Sequence, residues 1–148
     1  MGSADQNVDL IYRLDKYLRA GEVDRIRDEL LHPEVVWRVP GHHPLAGEHR
    51  GAEEVIGYLQ GLASTGIEFT DMHCGQLCDG SIAEKAIGRA DLAGERIELP
   101  IAVTYTIANN KIADVRVHPG DQHALDRFVW AAVALRPVTD RLEMAGVR

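Results

Sequence analysis

Residues 81–118, SIAEKAIGRADLAGERIELPIAVTYTIANNKIADVRVH, decide the architecture of this chain. Within 95–107, Ile97, Leu99, Ile101, Val103 and Tyr105 alternate with Glu98, Pro100, Ala102 and Thr104, the period of two expected of a strand with one buried face. Ala93-Gly94 precedes this run and Asn109-Asn110 follows it, and both pairs suit the positive φ angles of tight hairpins. Upstream, Asp79-Gly80 gives a further hairpin signal between 67–78 and 81–92. Consecutive hairpins joining long strands predict an antiparallel meander over 67–78, 81–92, 95–107 and 111–118.

Outward from the meander, the period changes to that of helices. Ile11, Leu14 and Leu18 form a stripe over 7–20 that ends at Gly21; Val23, Ile26 and Leu30 form another over 22–31, ending at His32-Pro33. Val55, Ile56, Leu59 and Leu62 mark a helix over 52–62, and Leu125, Phe128, Val129 and Ala132 mark one that starts near Asp121 and stops before Pro137. Val35 to Val39 reads as a short strand. Helices first and a meander after is an α+β order, not a βαβ alternation. The expectation is one domain over 1–148, with 1–6 and 137–148 as loose termini. Long antiparallel strands twist and curl. The sheet should therefore be a curved antiparallel cone, with the N-terminal helices over its concave face, a C-terminal helix beside it and an apolar pocket between the layers.

Composition narrows the function. The 148 residues carry a net charge of −7 with basic residues scattered singly, which argues against a nucleic-acid or membrane-surface partner. No apolar run reaches bilayer length, and MGSADQNVDL lacks a basic leader, so a cytoplasmic location is expected. Cys74 and Cys78 lack a second pair to complete a zinc site and are read as reduced thiols. Nucleotide-binding loops, nucleophile elbows and HExxH motifs are absent, and no metal site is expected.

The candidate site follows from strand parity. Glu84 shares a face with Ile82, Ala86 and Gly88, small residues beside one carboxylate, and is the first candidate for a base. In 67–78, either Phe69, Asp71, His73 and Leu77 face inward, making Asp71 and His73 a carboxylate–imidazole pair, or Thr70, Met72, Cys74 and Gln76 do. Alternation leaves both open. Trp37, Val39, Leu99, Ile101, Val103, Tyr105, Val115 and Val117 are expected as the substrate-binding apolar wall, with His42 and His43 at its rim after the Pro40-Gly41 turn. Tyr105 or a rim histidine is the expected donor to a developing oxyanion. His118 ends the last strand with outward parity, and Asp121 is placed to cap the final helix or to reach the pocket.

WRVPGHHPLAGEHRG (37–51) and RVHPGDQHALDRF (116–128) resemble the SnoaL-like branch of the nuclear transport factor two-like superfamily, with the resemblance running over about 8–130. Relatives there include ketosteroid isomerase, scytalone dehydratase and limonene epoxide hydrolase. The resemblance implies a cone fold, commonly a homodimer through the sheet, no cofactor, and acid–base chemistry on a small lipophilic molecule of polyketide or steroid type. It implies an isomerase, cyclase or lyase; a noncatalytic binding module and a dimerisation domain are the alternatives, as is an epoxide hydrolase with a different carboxylate arrangement. The Arg-x-Asp pair and distal Asp of limonene epoxide hydrolase fall here on Glu84, Ala86 and Val117, so that set is missing. The SnoaL-type cyclases place an Asp near the end of the sheet, where Asp121 stands.

Overall fold

A computed structural model describes residues 4–134. Its elements are α1 (Ala4–Ala20), α2 (Val23–Arg25) running into a π-helical turn (Ile26–Leu30), β1 (Leu31–Val39), β2 (Gly47–Arg50), α3 (Ala52–Ser64), β3 (Glu68–Gln76), β4 (Ile82–Leu92), β5 (Glu95–Ala108), β6 (Lys111–Pro119) and α4 (Gln122–Ala134). The predicted stop before Pro137 and the tail beyond it lie outside the described residues. Residues 4–6 belong to α1, which starts earlier than its apolar stripe.

The six strands form a curved, unclosed sheet in the order β2-β1-β6-β5-β4-β3. The meander β3–β6 is antiparallel throughout, while β1 joins β6 in parallel and β2 closes that edge antiparallel to β1. At the β4–β5 turn, Ala93 (φ 51°) and Gly94 (φ 86°) both take left-handed backbone, as do Asn109 (φ 53°) and Asn110 (φ 61°) at β5–β6. Two successive positive φ values match the right-handed twist of the flanking strands. β2 was hidden in the sequence because Gly47-Glu48-His49-Arg50 has no apolar alternation; its pairing with β1 supplies the order. β1 begins at Leu31 and runs through His32-Pro33, with Pro33 inside the irregular stretch of the β1–β6 pairing, where a missing N–H is tolerated.

α1 crosses β3 and α3 lies against β1, both on the concave face. Leu10, Ile11, Leu14 and Tyr17 of α1 and Val55, Ile56, Tyr58 and Leu59 of α3 are buried against Trp37, Ile82, Val103 and Val115. α4 lies against the loop that follows β1, where Gln122 Nε2 donates to the Pro40 carbonyl and Trp130 Nε1 to the His42 carbonyl. Its N-terminus is capped by Asp121, whose Oδ1 accepts the Ala124 N–H at 3.0 Å. The close approach depends on Gly41: at φ 112°, a Cβ there would lie 2.2 Å from Gln122 Nε2 and 2.4 Å from Asp126 Oδ1. Among the described residues, no helix is long and apolar enough to cross a membrane.

Candidate functional site

Between the sheet and the helices lie two small lobes. The first, about 60 Å³, is walled by Trp37, Leu59, Val103 and Tyr105, with Glu84 and Asp15 as its carboxylates. The second, about 30 Å³, is walled by Val39, Leu45, Leu99 and Val129 and includes His43 and Asp121. Tyr58, Leu62, Phe69, Ile101 and Val117 border both, so they form the partition of one apolar interior. Outside the first lobe, a recess of about 310 Å³ is lined by Asp15, Leu18, Leu62 and Phe69. Leu18, Leu62 and Phe69 are only half-buried, which makes them the mouth. The hollow expected from the sequence is thus present but narrow, because partition side chains occupy its middle.

Glu84 projects from β4 into the first lobe and is 9% exposed. The buried Tyr105 hydroxyl, on the adjacent strand, donates to Glu84 Oε1 at 2.8 Å. Burial raises the Glu84 pKa; the Tyr105 hydrogen bond opposes that rise, and the Asp15 charge adds to it. The Tyr105 phenol is itself raised, first by burial and then by the Glu84 charge. Tyr105 therefore steadies the carboxylate, and its hydroxyl proton is already committed in this arrangement. Two further donors border this lobe, Trp37 Nε1–H and the Tyr58 hydroxyl. The indole N–H is buried and makes no hydrogen bond among the described residues. Its nearest polar neighbour is the Tyr58 oxygen; burial raises the Tyr58 phenol pKa, and the indole N–H opposes that rise. Trp37 is fixed edge-on to Tyr105 (6.2 Å between ring centroids, 89°) and tilted against Tyr58 (5.8 Å, 43°).

The Asp71–His73 pair does not reach this interior. Thr70 pairs with Ile87 and His73 with Lys85, so β3 carries one extra residue there, a β-bulge. Asp71 takes the strain at φ 54° and is anchored by Arg89 Nη2 at 3.1 Å. The bulge changes the phase of the strand: Phe69 points in before it, Met72 and Cys74 point in after it, and Asp71 and His73 stay outside. Each of the two alternations was right for half of the strand. His118, also outside, pairs with Thr104 Oγ1 at 3.2 Å. Asp71, His73 and His118 border a groove of about 420 Å³ on the outer face, floored by Ile87, Pro100 and Ala102.

The two rim histidines separate. His42 is exposed, and its carbonyl accepts from Trp130 Nε1 at 2.7 Å. His43 is buried, with its side chain 2% exposed, and lines the second lobe. Val115 is fully buried core and borders neither lobe. Asp121 borders the second lobe while capping α4.

Asp15 and Tyr58 escaped the sequence reading. Asp15 occupies the i+4 position from Ile11, between Leu14 and Leu18, so the helical period already placed it on the buried flank of α1. Tyr58 stands three residues after Val55 in the same way. Cys74 and Cys78 are free, and burial together with the Glu84 charge pushes the Cys74 thiol up to about 11. Among the described residues, no cluster of three or more His, Cys, Asp or Glu side chains is placed to hold a metal ion.

A family model described as a SnoaL-like domain matches residues 13–115. Among solved structures, Bal32a, from a soil-derived mobile gene cassette, is similar at 24% identity over 85% of this chain and 98% of that one, with a TM-score of 0.77. TerC, crystallised with polyporic acid, is similar at 17% identity over 84% of this chain and 98% of that one, TM-score 0.71. SalBIII, described as an epoxide hydrolase/cyclase-like enzyme with a role in pyran ring formation in the polyether salinomycin, is similar at 16% identity over 78% of this chain and 92% of that one, TM-score 0.65. At these identities the likeness is one of fold. No curated protein sequence matches the chain.

Proposed function

The chain belongs to the SnoaL-like domain family, and from that premise we propose that it is an isomerase, cyclase or lyase acting by general acid–base catalysis on a small lipophilic carbonyl compound. One observation carries the reading: Glu84 is the buried carboxylate among the described residues, and it stands in an apolar lobe bonded to a buried phenol. A carboxylate with a raised pKa is a stronger base than one in water, and so is better matched to a carbon acid near neutral pH.

In this mechanism Glu84 removes the proton from the carbon beside the carbonyl. The electron pair of that C–H bond moves onto the carbonyl oxygen, giving an enolate. Trp37 Nε1–H donates to the developing oxyanion, and the apolar wall keeps that hydrogen bond strong by excluding water. Glu84 then returns the proton to another carbon of the conjugated system, or the enolate expels a β-leaving group. Tyr105 holds the carboxylate in place throughout. Phe69 and Leu62 must turn aside to admit a substrate, since the resting lobes are smaller than a bicyclic molecule.

The test is proton exchange. Incubated in D₂O with 1-tetralone, the protein should speed deuterium incorporation beside the carbonyl, read by mass spectrometry. Glu84→Gln should lose about 10²–10⁴ of that rate. Equal exchange by the two proteins removes the proposed base.

Asp15 favours a second reading. It borders the same lobe as Glu84 and couples to it electrostatically. Two carboxylates on one lobe can open an epoxide, one activating water and the other, in its protonated form, protonating the epoxide oxygen; Asp15 would do so from its ion pair with Arg19 Nε at 2.9 Å. Diol formation from styrene oxide that is lost in both Glu84→Gln and Asp15→Asn would establish it over enolisation. Binding of tetralone with neither product would leave a ligand-binding module.

We also propose a homodimer formed through the outer face of β3–β6. The groove there has an apolar floor and, unlike the concave face, no covering helix among the described elements.

A further inference from the structure

His43 has no task in the chemistry above, yet its geometry is specific. The Leu45 N–H donates to His43 Nδ1 at 3.1 Å. A ring nitrogen that accepts carries no proton, so the neutral ring holds its hydrogen on Nε2. Burial lowers the pKa of the ring, with Asp126 opposing and His49 assisting, and the ring is accordingly neutral near pH 7. Nε2 has no hydrogen-bond partner among the described residues. Asp126 Oδ1 is 4.0 Å away, beyond hydrogen-bond reach, and already accepts from Gln122 Nε2 at 2.9 Å. A buried donor left unmet is costly and rare. Around it the second lobe is mostly hydrocarbon, from Val39, Leu45, Leu99, Leu125 and Val129, with Tyr58 on the partition and Asp121 at its border, where the carboxylate is engaged in capping α4.

We propose that His43 Nε2–H is a ligand-binding donor, and that the substrate is a lipophilic carbonyl compound bearing a second acceptor oxygen (an ether, ester or further carbonyl) on the side remote from the reacting carbon. The substrate class rests on the reading of Glu84 as the base; the donor role of His43 rests on its own geometry. The first lobe then performs the chemistry and the second sets which molecules are held for it. The shared partition of Tyr58, Phe69 and Ile101 makes one ligand spanning both lobes the natural occupant. An oxygen in place of a methylene at the His43 end is what the site distinguishes.

Calorimetric Kd values for 1-tetralones carrying methoxy or the isosteric ethyl group at positions 5, 6 and 7 test this. The unmutated protein should prefer methoxy over ethyl about 3–10-fold for at least one position, the worth of one net hydrogen bond. Glu84→Gln should keep that preference and His43→Phe should lose it. His43→Gln, which retains an N–H donor, should keep part of it. Should His43→Phe fail to fold, the Nε2–H proton resonance of the unmutated protein decides: it should move downfield with the methoxy compound and not with the ethyl one. Equal affinities at all three positions, a preference that survives in His43→Phe, a resonance indifferent to both ligands, or no binding in either series would each overturn the assignment. Methoxy preference without proton exchange sinks the Glu84 reading alone; exchange without preference sinks only this one.

Discussion

Glu84 and Tyr105 face each other across β4 and β5 because Glu84 pairs with Val103 and Ile82 with Tyr105, which sets them diagonally on one face of the sheet. The Glu84 pKa is then a balance of burial, the Tyr105 hydrogen bond and the Asp15 charge. Each contribution has a sign that can be read out. Since Glu84 must be ionised to accept a proton, the acidic limb of the exchange rate should lie above the ordinary carboxylate range. Tyr105→Phe removes the opposing hydrogen bond and should move that limb to higher pH; Asp15→Asn removes a repelling charge and should move it lower. Opposite shifts in the two pH profiles would be hard to obtain from a loss of packing alone. Stability carries the same sign: a raised carboxylate pKa lets the native state bind more protons than the unfolded chain. This group's contribution is therefore full below the ordinary glutamate value and falls as pH rises through the native one. His43 acts in reverse. Its lowered pKa adds stability above the ordinary histidine value, and that contribution is lost as pH falls through the native one.

At the scale of elements, the turns are the most local part of the design. Asn109-Asn110 uses two residues that accept left-handed backbone readily, whereas Ala93 takes φ 51° with a Cβ that disfavours it. Ala93→Asn should stabilise the protein by about 1 kcal/mol in denaturant melts, with no change in exchange rate, since the turn borders neither lobe. β3 shows the opposite case. Its bulge depends on Arg89, which reaches from β4 to Thr70 Oγ1 at 2.8 Å and to Asp71, and pairs with Glu98 from β5. No pattern within 67–78 announces a contact supplied by two other strands. Helix α1 lies between these extremes: its apolar period was legible, and Asp15 on the flank of that period follows once the lobe beside it is known.

For the whole molecule, the two faces of the sheet divide the work. The concave face is covered by α1 and α3 and holds the carboxylates and the buried imidazole; the outer face carries Asp71, His73 and His118 around an apolar floor. If the outer face joins two copies, light scattering should give twice the 16.3 kDa chain mass. Ile87→Glu, which would bury an unpaired charge in that contact, should raise the dimer Kd by at least about 10-fold. A monomer for the unmutated protein at micromolar concentration would refute the dimer.

The sequence by itself determined the α+β order, the hairpins and the inward set on β5. Turn residues and short periods act between near neighbours, and no distant contact is needed to read them. Only the tertiary structure decided that Asp71 and His73 lie outside, that His43 is buried while His42 is not, and that Asp15 borders the same lobe as Glu84. Those outcomes follow from a bulge pinned by Arg89, a loop pressed against α4, and a helix laid across the sheet. Each is a contact between segments far apart in the chain, and its energy is set by packing that no local pattern encodes.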